Sequence, residues 1–294
     1  MEIKALRYFL AVAREENMTR AADILHVSQP TLSKQIKSLE EELNTKLFIR
    51  HSFQIELTDE GQLLRKRAAD LVDLADKISD EFLNIYNIMG GDIYFGLGES
   101  YQIKDLAASI KAFKQFYPHL HFHITSGDSE QVIEKLDRGV LDLAVLMEEP
   151  DPKKYDYIPF PHTDIWGLVI PKDDPLSKKE VITIDDLIGL PLFCSDQSWE
   201  KDIPRWCGDR MNELHQEGSF RLNYNATIFA SEGLGYVLTF KYLTNTLELD
   251  LTFRPLYPTL ETKLYLAWKK YQVFSPVVKR FIEFTTEYFA TNRS

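Results

Sequence analysis

Residues 21–50 read AADILHVSQPTLSKQIKSLEEELNTKLFIR, and residues 57–61 read LTDEG. Ser28 stands just before an apolar series at helical spacing, Leu32, Ile36, Leu39 and Leu43. Pro30 falls in the first turn of that helix, where its missing N–H does no harm. Ser28 is therefore the expected N-cap, and Asn44 can take the left-handed conformation that ends the helix. Upstream, Thr19 is the cap candidate for a second short helix carrying Ala21, Ala22, Ile24 and Leu25. Leu6, Phe9, Leu10 and Ala13 form the stripe of a first helix, which Glu15–Met18 interrupts. Only His26–Val27 separates the second helix from the third. Three short helices with one tight turn make a helix-turn-helix. Downstream, Phe48–Leu57 has mixed polarity and suits a two-stranded wing with a turn near His51–Phe53.

Such a motif lays its recognition helix in the major groove of double-stranded DNA, N-terminal residues first. Here the third helix would present Ser28, Gln29, Pro30, Thr31, Ser33, Lys34 and Lys37. Glutamine can pair with adenine through two hydrogen bonds, hydroxyls reach base edges or phosphates, and lysine neutralises phosphate. Arg20, at the start of the second helix, and Arg50 and His51, at the wing, would flank the same groove. Glu40, Glu41 and Glu42 are expected at the far end, away from DNA. The first sixty residues are not basic as a whole, so one head should bind modestly. Two heads held together would gain by effective concentration.

Thr58 is placed to cap a long helix. Leu64, Ala68, Leu71, Ala75, Ile78, Phe82 and Ile85 alternate in steps of four and three, a heptad seam that predicts a helical partner. A helix lying on its own globular domain is the competing reading, but charges cover its other faces. Gly90–Gly91 reads as the end of this helix and a hinge. Beyond it strands and helices alternate: Ile93–Leu97, His119–Ser126 and Leu141–Met147 as strands, Ile103–Phe116 and Val132–Leu136 as helical segments. The same grammar returns at Ile165–Ile170, Ile184–Ile188, Leu192–Cys194, Ala226–Leu234, Tyr236–Phe240 and Lys263–Trp268. Ser275–Pro276 opens a final helix burying Val277, Val278, Phe281, Ile282, Phe284 and Phe289. Alternation of this kind predicts a parallel sheet with both faces covered.

The first stretch quoted resembles the helix-turn-helix and wing of the LysR-type transcriptional regulators. Ala21, Ala22, Leu25, Ser28, Gln29, Pro30, Ser33, Ile36, Leu39, Glu40, Leu43, Leu47, Phe48, Arg50, Leu57, Thr58 and Gly61 match the family pattern. Asn44 stands where glycine is usual, and Arg20 where a small or aromatic residue is common. The resemblance continues through residues 116–146, FYPHLHFHITSGDSEQVIEKLDRGVLDLAVL, then IWGLVIPKDDPL from 165, GLGYVLTF from 233 and LAWKKYQVFSPVVKRFIEF from 266. It implies an N-terminal winged helix-turn-helix over 1–57, a dimerising linker helix over 58–89 and an effector-binding domain over 90–294. That domain would be a two-lobed, α/β, periplasmic-binding-protein-like body joined by two crossover strands. Lobe 1 would take about 91–162 and 266–294, and lobe 2 about 163–265. The implied function is a ligand-responsive, sequence-specific regulator and not an enzyme, a dimer through the linker and a tetramer through the bodies. RNA polymerase is a further partner compatible with that role.

The resemblance puts a small-molecule effector between the lobes, and open α/β sheets bind ligands beyond the carboxyl ends of their strands. That rule selects Ser100, Tyr101, Ser126, Gly127, Asp128 and Met147 from the first half. From the second it selects Cys194, Asp196, Thr227, Ile228, Phe229 and Phe240. Helix N-termini beside Ser100 and Ser126 would favour an anion, and the family's frequent carboxylate effectors suggest the same.

Bulk properties agree with these expectations. At 294 residues, the chain suits two or three units. Its 44% hydrophobic and 27% charged residues are ordinary for a globular protein. No apolar run nears the ~20 residues of a membrane helix, and MEIKALRYFLAVAREENM is amphipathic, without a cleavage site. Cys194 and Cys207 make no disulfide framework, which fits a reducing cytoplasm. The net charge of −11 argues against a protein that coats nucleic acid but leaves room for a local reading surface. His119, His121 and His123 share one side of a strand, about 7 Å apart, too far for one ion without other ligands. The segment Gly96–Leu97–Gly98 lacks the third glycine of a dinucleotide site. No metal or cofactor is expected.

Overall fold

The computed structural model describes residues 1–50, 55–83 and 90–292. His51, the wing turn and the seam position Ile85 lie outside the described residues, and so does the side chain of Arg50. The chain separates into two compact units. One holds the residues up to Leu83 with Arg138–Val140, and the other holds the rest.

In the first unit α1 (Ile3–Glu15), α2 (Met18–Ile24) and α3 (Gln29–Leu43) precede a two-stranded wing, β1 (Phe48–Arg50) and β2 (Ile55–Leu57), and a long α4 (Asp59–Leu83). The wing is antiparallel, with Phe48 opposite Leu57. Leu6, Phe9, Val12, Ala21, Leu32, Ile36, Leu39 and Leu47 form one core, with Phe9 and Phe48 in ring contact at 5.2 Å. Ser28 caps α3 and Asn44 ends it at φ 50°, as the sequence predicts. Thr58 accepts the Gly61 N–H at 2.9 Å and donates to the Lys46 carbonyl at 2.8 Å, which starts α4 and ties it to the wing.

Several expectations change here. Asn17, not Thr19, caps α2, its Oδ1 accepting from the Thr19 and Arg20 amides at 2.9 and 3.0 Å. This lets Met18 take the first helical position and enter the core. Leu43 is 37% exposed, because Leu39 and Glu40 form the last buried turn of α3. The heptad seam divides. Ala68 is buried in the head's own core, where Leu64 and Val72 join it, whereas Leu71, Ile78 and Phe82 are exposed. The first turns of α4 thus belong to the globular head.

The second unit contains β3 (Gly90–Leu97), α5 (Ile103–Phe113), β4 (His119–Ser126), α6 (Ser129–Asp137), β5 (Leu143–Leu146) and a 17-residue β6 (Tyr155–Pro171). Then come α7 (Ile184–Leu187), β7 (Pro191–Cys194), α8 (Asp196–Glu200), α9 (Asp202–Cys207), β8 (His215–Ser219) and α10 (Asn223–Ser231). The unit ends with β9 (Tyr236–Phe240), β10 (Leu251–Pro255), β11 (Glu261–Lys269) and α11 (Pro276–Thr291). The strand order is β4-β3-β5-β11-β6-β9-β7-β8, with β10 also on β6.

The sheet is mixed rather than parallel throughout. β3 runs parallel to β4 and β5, and β7 to β8 and β9, but β6 and β11 oppose each other and their neighbours. These two long strands carry the chain across to the second half and back, so they must run in opposite directions. They link two α/β halves with separate cores, one around Phe95, Phe113 and Phe281, the other around Leu168, Leu192 and Leu238.

Gly90 and Gly91 do not form a hinge. They begin β3, paired with His119 and Leu120. A Cβ on Gly90 would lie 2.3 Å from the His119 carbonyl oxygen, and Gly91 sits at φ +139° with Val277 against it. Close approach, not flexibility, demands glycine at both positions.

Candidate DNA-reading face and effector cavity

The candidate DNA-reading face is built from the back. Leu32, Ile36 and Leu39 are buried, which fixes the roll of α3 and turns its other side to solvent. Gln29, Pro30, Thr31, Lys34 and Lys37 are exposed and Ser33 is half-buried. The Ser28 hydroxyl accepts the Thr31 amide at 3.3 Å and lies 2.7 Å from the Thr31 hydroxyl, so both side chains also serve the cap. Arg20 is exposed and 3.5 Å from Glu15, and Lys37 is 3.4 Å from Glu41. Lys34 is exposed as well.

Glu40, expected only to lie away from DNA, is a buried structural acid. It is 5% exposed, and accepts hydrogen bonds from Lys46 Nζ at 2.9 Å and the Leu47 and Phe48 amides at 3.0 and 3.4 Å. Burial alone would push its pKa up, but Lys46 and the two amides outweigh burial and hold it below the usual carboxylate range. The side chain pins the wing to the recognition helix. Its helical phase carried a signal: Glu40 follows Leu32, Ile36 and Leu39 on the buried side.

In the second unit a cavity of about 750 Å³ opens where the two halves face each other, a size typical of small-molecule sites. Gly127, Asp128 and Met147 line it from the first half, and Asp196 and Phe240 from the second. The other candidates do not. Ser100 is buried, donating to Asp164 at 2.5 Å and accepting from the Gln102 amide at 2.9 Å. Tyr101 packs on Tyr242, with ring centroids 4.7 Å apart. Ser126 ends β4 on the exposed side.

Cys194 lies in the second core, where burial pushes its thiol pKa up. Burial also raises Cys207, half-buried beside Met211. Neither thiol is activated as a nucleophile. Thr227, Ile228 and Phe229 lie in α10 rather than at a strand end. Thr227 donates to the Tyr224 carbonyl, Ile228 is half-buried and Phe229 is exposed. His123 pairs with Asp92 at 2.9 Å and stacks on Tyr94. Among the described residues no three His, Cys, Asp or Glu side chains converge to hold a metal.

The polar residues that join the two walls were missed. Gln197 donates to Ser129 at 3.0 Å and to Glu148 at 3.1 Å, and it accepts the Ser129 amide at 3.3 Å. Lys201 reaches Glu148 at 2.7 Å. Glu99 accepts the Asn223 amide at 2.6 Å, and Arg221 lies 4.0 Å from Asp128. Glu99 and Glu148 sit one residue beside candidates named from the strand ends. Arg221 and Asn223 follow β8, whose sequence HQEGS carries no apolar signal for a strand.

Of the two helix N-termini expected to attract an anion, that of α6 is capped by Asp128, which accepts the Gln131 amide at 2.9 Å, whereas α5 has no side-chain cap. Ser195 caps the short α8, accepting the Ser198 amide at 3.3 Å.

Residues 3–62 match the family model described as bacterial regulatory helix-turn-helix protein, lysR family, and residues 89–290 match LysR substrate binding domain. The chain is 28% identical to the Hca operon transcriptional activator HcaR of Escherichia coli K12, over 99% of both chains. It is 27% identical to the regulator BudR of Raoultella terrigena, over 96% of this chain and 99% of that one. The fold is similar to that of CbnR, a LysR family transcriptional regulator, with a TM-score of 0.78 at 19% identity over 98% and 99% of the two chains. The chain belongs to the LysR family: it is a DNA-binding transcriptional regulator, not an enzyme, with an N-terminal helix-turn-helix and a two-lobed substrate-binding domain.

Proposed function

We propose that α3 reads operator DNA from the major groove through Ser28, Gln29, Thr31 and Ser33, with Pro30 shaping its first turn. Lys34, Lys37, Arg20 and the wing residues Arg50 and His51 hold the phosphates. The observation that carries this is the placement of Gln29. It is exposed in the first turn of a helix whose opposite side is locked into the head's core. The working organisation is a head over 1–57, a linker helix over 58–89 and an effector body over 90–294. The exposed Leu71, Ile78 and Phe82 support a dimer through the linker, since such a stripe suits a second helix. A tetramer through the bodies and contact with RNA polymerase at a promoter complete the proposal. No helix among the described residues is long and apolar enough to cross a membrane, and we place the protein in the cytoplasm with its DNA. The two-walled cavity supports control by a small molecule, which works only by binding one arrangement of the protein better than another. A carboxylate effector, as the family resemblance suggests, would have to bind against the acidic lining described below.

Recovery of bound genomic fragments by the full-length protein tests the reading. A shared pseudo-palindromic site should emerge, and Gln29→Ala should lose about 1–3 kcal/mol of discrimination at one position per half-site. Unchanged selectivity in Gln29→Ala and Ser33→Ala would refute the assignment of α3.

A further inference from the structure

We propose that the cavity selects an extended organic polycation, of the di- or polyamine class, an inference that rests on reading this cavity as the effector site. Among the described residues, eight carboxylates line it against three bases, Lys154, Lys201 and Arg221. Two of those bases already face acids of the opposite wall, Lys201 on Glu148 and Arg221 by Asp128. Glu130, Asp196 and Glu200 have no cation within 4 Å among the described residues. A lined cleft of one sign focuses its field and concentrates counter-ions.

Three further observations fix the class. First, Asn223 lines the cavity and is 3% exposed, yet its Oδ1 has no hydrogen-bond partner. A buried acceptor without a donor is costly, and because this oxygen is closed to solvent, an ammonium N–H would satisfy it only once the surrounding side chains shift. Second, the N-termini of α6 and α8, which border the cavity, already carry the side-chain caps Asp128 and Ser195. Third, the carboxylates are dispersed, since among the described residues no three converge on one metal position. Spread negative charge suits ammonium groups separated by methylenes, and Ile133, Met147, Trp166 and Phe240 give those methylenes an apolar wall. Such a ligand would compete with Lys201 for Glu148, and so would favour an arrangement in which that cross-cavity pair is broken.

Calorimetry on the full-length protein tests this with spermidine, 1,4-diaminobutane and adipate as probes. Spermidine should bind once per chain, more tightly than the diamine, with affinity falling as salt screens the charges. The exposed pair Glu148→Gln with Glu200→Gln should weaken it by about tenfold or more, while Lys154→Ala should tighten it by about threefold. Weak, multi-site spermidine binding unchanged by these variants would be surface attraction to an acidic chain, and would overturn the proposal. Adipate binding abolished by Lys154→Ala would overturn it too, while leaving the cavity as an effector site. If no probe binds, the polyamine class is wrong. Metabolite fractions then decide the underlying reading: a rise in Tm with any fraction keeps the cavity as an effector site, and none with any fraction removes it.

Discussion

The head and the effector body each bury a carboxylate, and they treat it in opposite ways. In the head, Glu40 receives one ammonium and two backbone amides, so it stays ionised despite burial. In the body, Asp164 is 1% exposed and receives the Ser100 hydroxyl, but its Oδ1 has no hydrogen-bond partner. Burial pushes its pKa up to about 6, against which Ser100, Gln102 and Lys104 act only in part. A nearby acceptor, Gln102 Oε1, is also unpartnered. The head spends its carboxylate on rigidity. The body keeps one that can change its charge, placed in β6 where the chain crosses between halves.

The largest effect that would sharpen this contrast is loss of Glu40. Glu40→Ala leaves the Leu47 and Phe48 amides without their partner, and should cost the head about 3 kcal/mol by denaturant unfolding. A loss below about 1 kcal/mol would mean the carboxylate is a surface charge after all.

The second effect has the opposite dependence on pH. A carboxyl with a higher pKa folded than unfolded binds its proton more readily in the folded state. Asp164 should therefore add about 2–3 kcal/mol to the body as pH falls from about 6 to about 4. Glu40, with its pKa lowered by folding, stabilises the head above the ordinary carboxylate range and loses that contribution as pH falls through it. Tm against pH for the two transitions, with Asp164→Asn flattening only the body's slope, checks both signs. Parallel slopes in the two units would break the comparison.

A third, smaller effect concerns packing alone. A Cβ on Gly61 would lie 2.2 Å from the Leu47 carbonyl oxygen, so Gly61→Ala should cost about 2 kcal/mol in the head. The smallest is Leu43→Gln, which should change stability by less than about 0.5 kcal/mol, because that side chain is largely outside the core.

The head was legible in the sequence because its rules are local. The helical period of Leu32, Ile36 and Leu39, the Ser28 cap and the Asn44 terminator each act within one or two turns, and the structure shows each of them. The β6 strand was only half legible. Its second part, Ile165–Ile170, is apolar, but the first, YDYIPFPHTD, carries two prolines and reads as loop. The structure accommodates them where the pairing with β11 skips from Tyr265 to Lys263, a bulge at the crossing that no local pattern announces. The cavity suffered likewise. The strand-end rule reached Gly127, Asp128, Met147, Asp196 and Phe240, but it could not weigh charges brought together from distant loops. An anion was expected from the helix termini beside Ser100 and Ser126, and sequence alone does not show that Asp128 caps the second of them.

The seating of Gly61 on Leu47 has a consequence for how far a signal can travel. Together with the Arg7–Asp76 pair it fastens α4 to the head at two places, so the helix and the reading surface move as one lever. The helix has 25 residues, which at about 1.5 Å each makes an arm of roughly 37 Å. Tilting such an arm by about 5° sweeps its far end through roughly 3 Å, close to the rise of one base pair. A small tilt of the helix therefore carries the head through about one base-pair step.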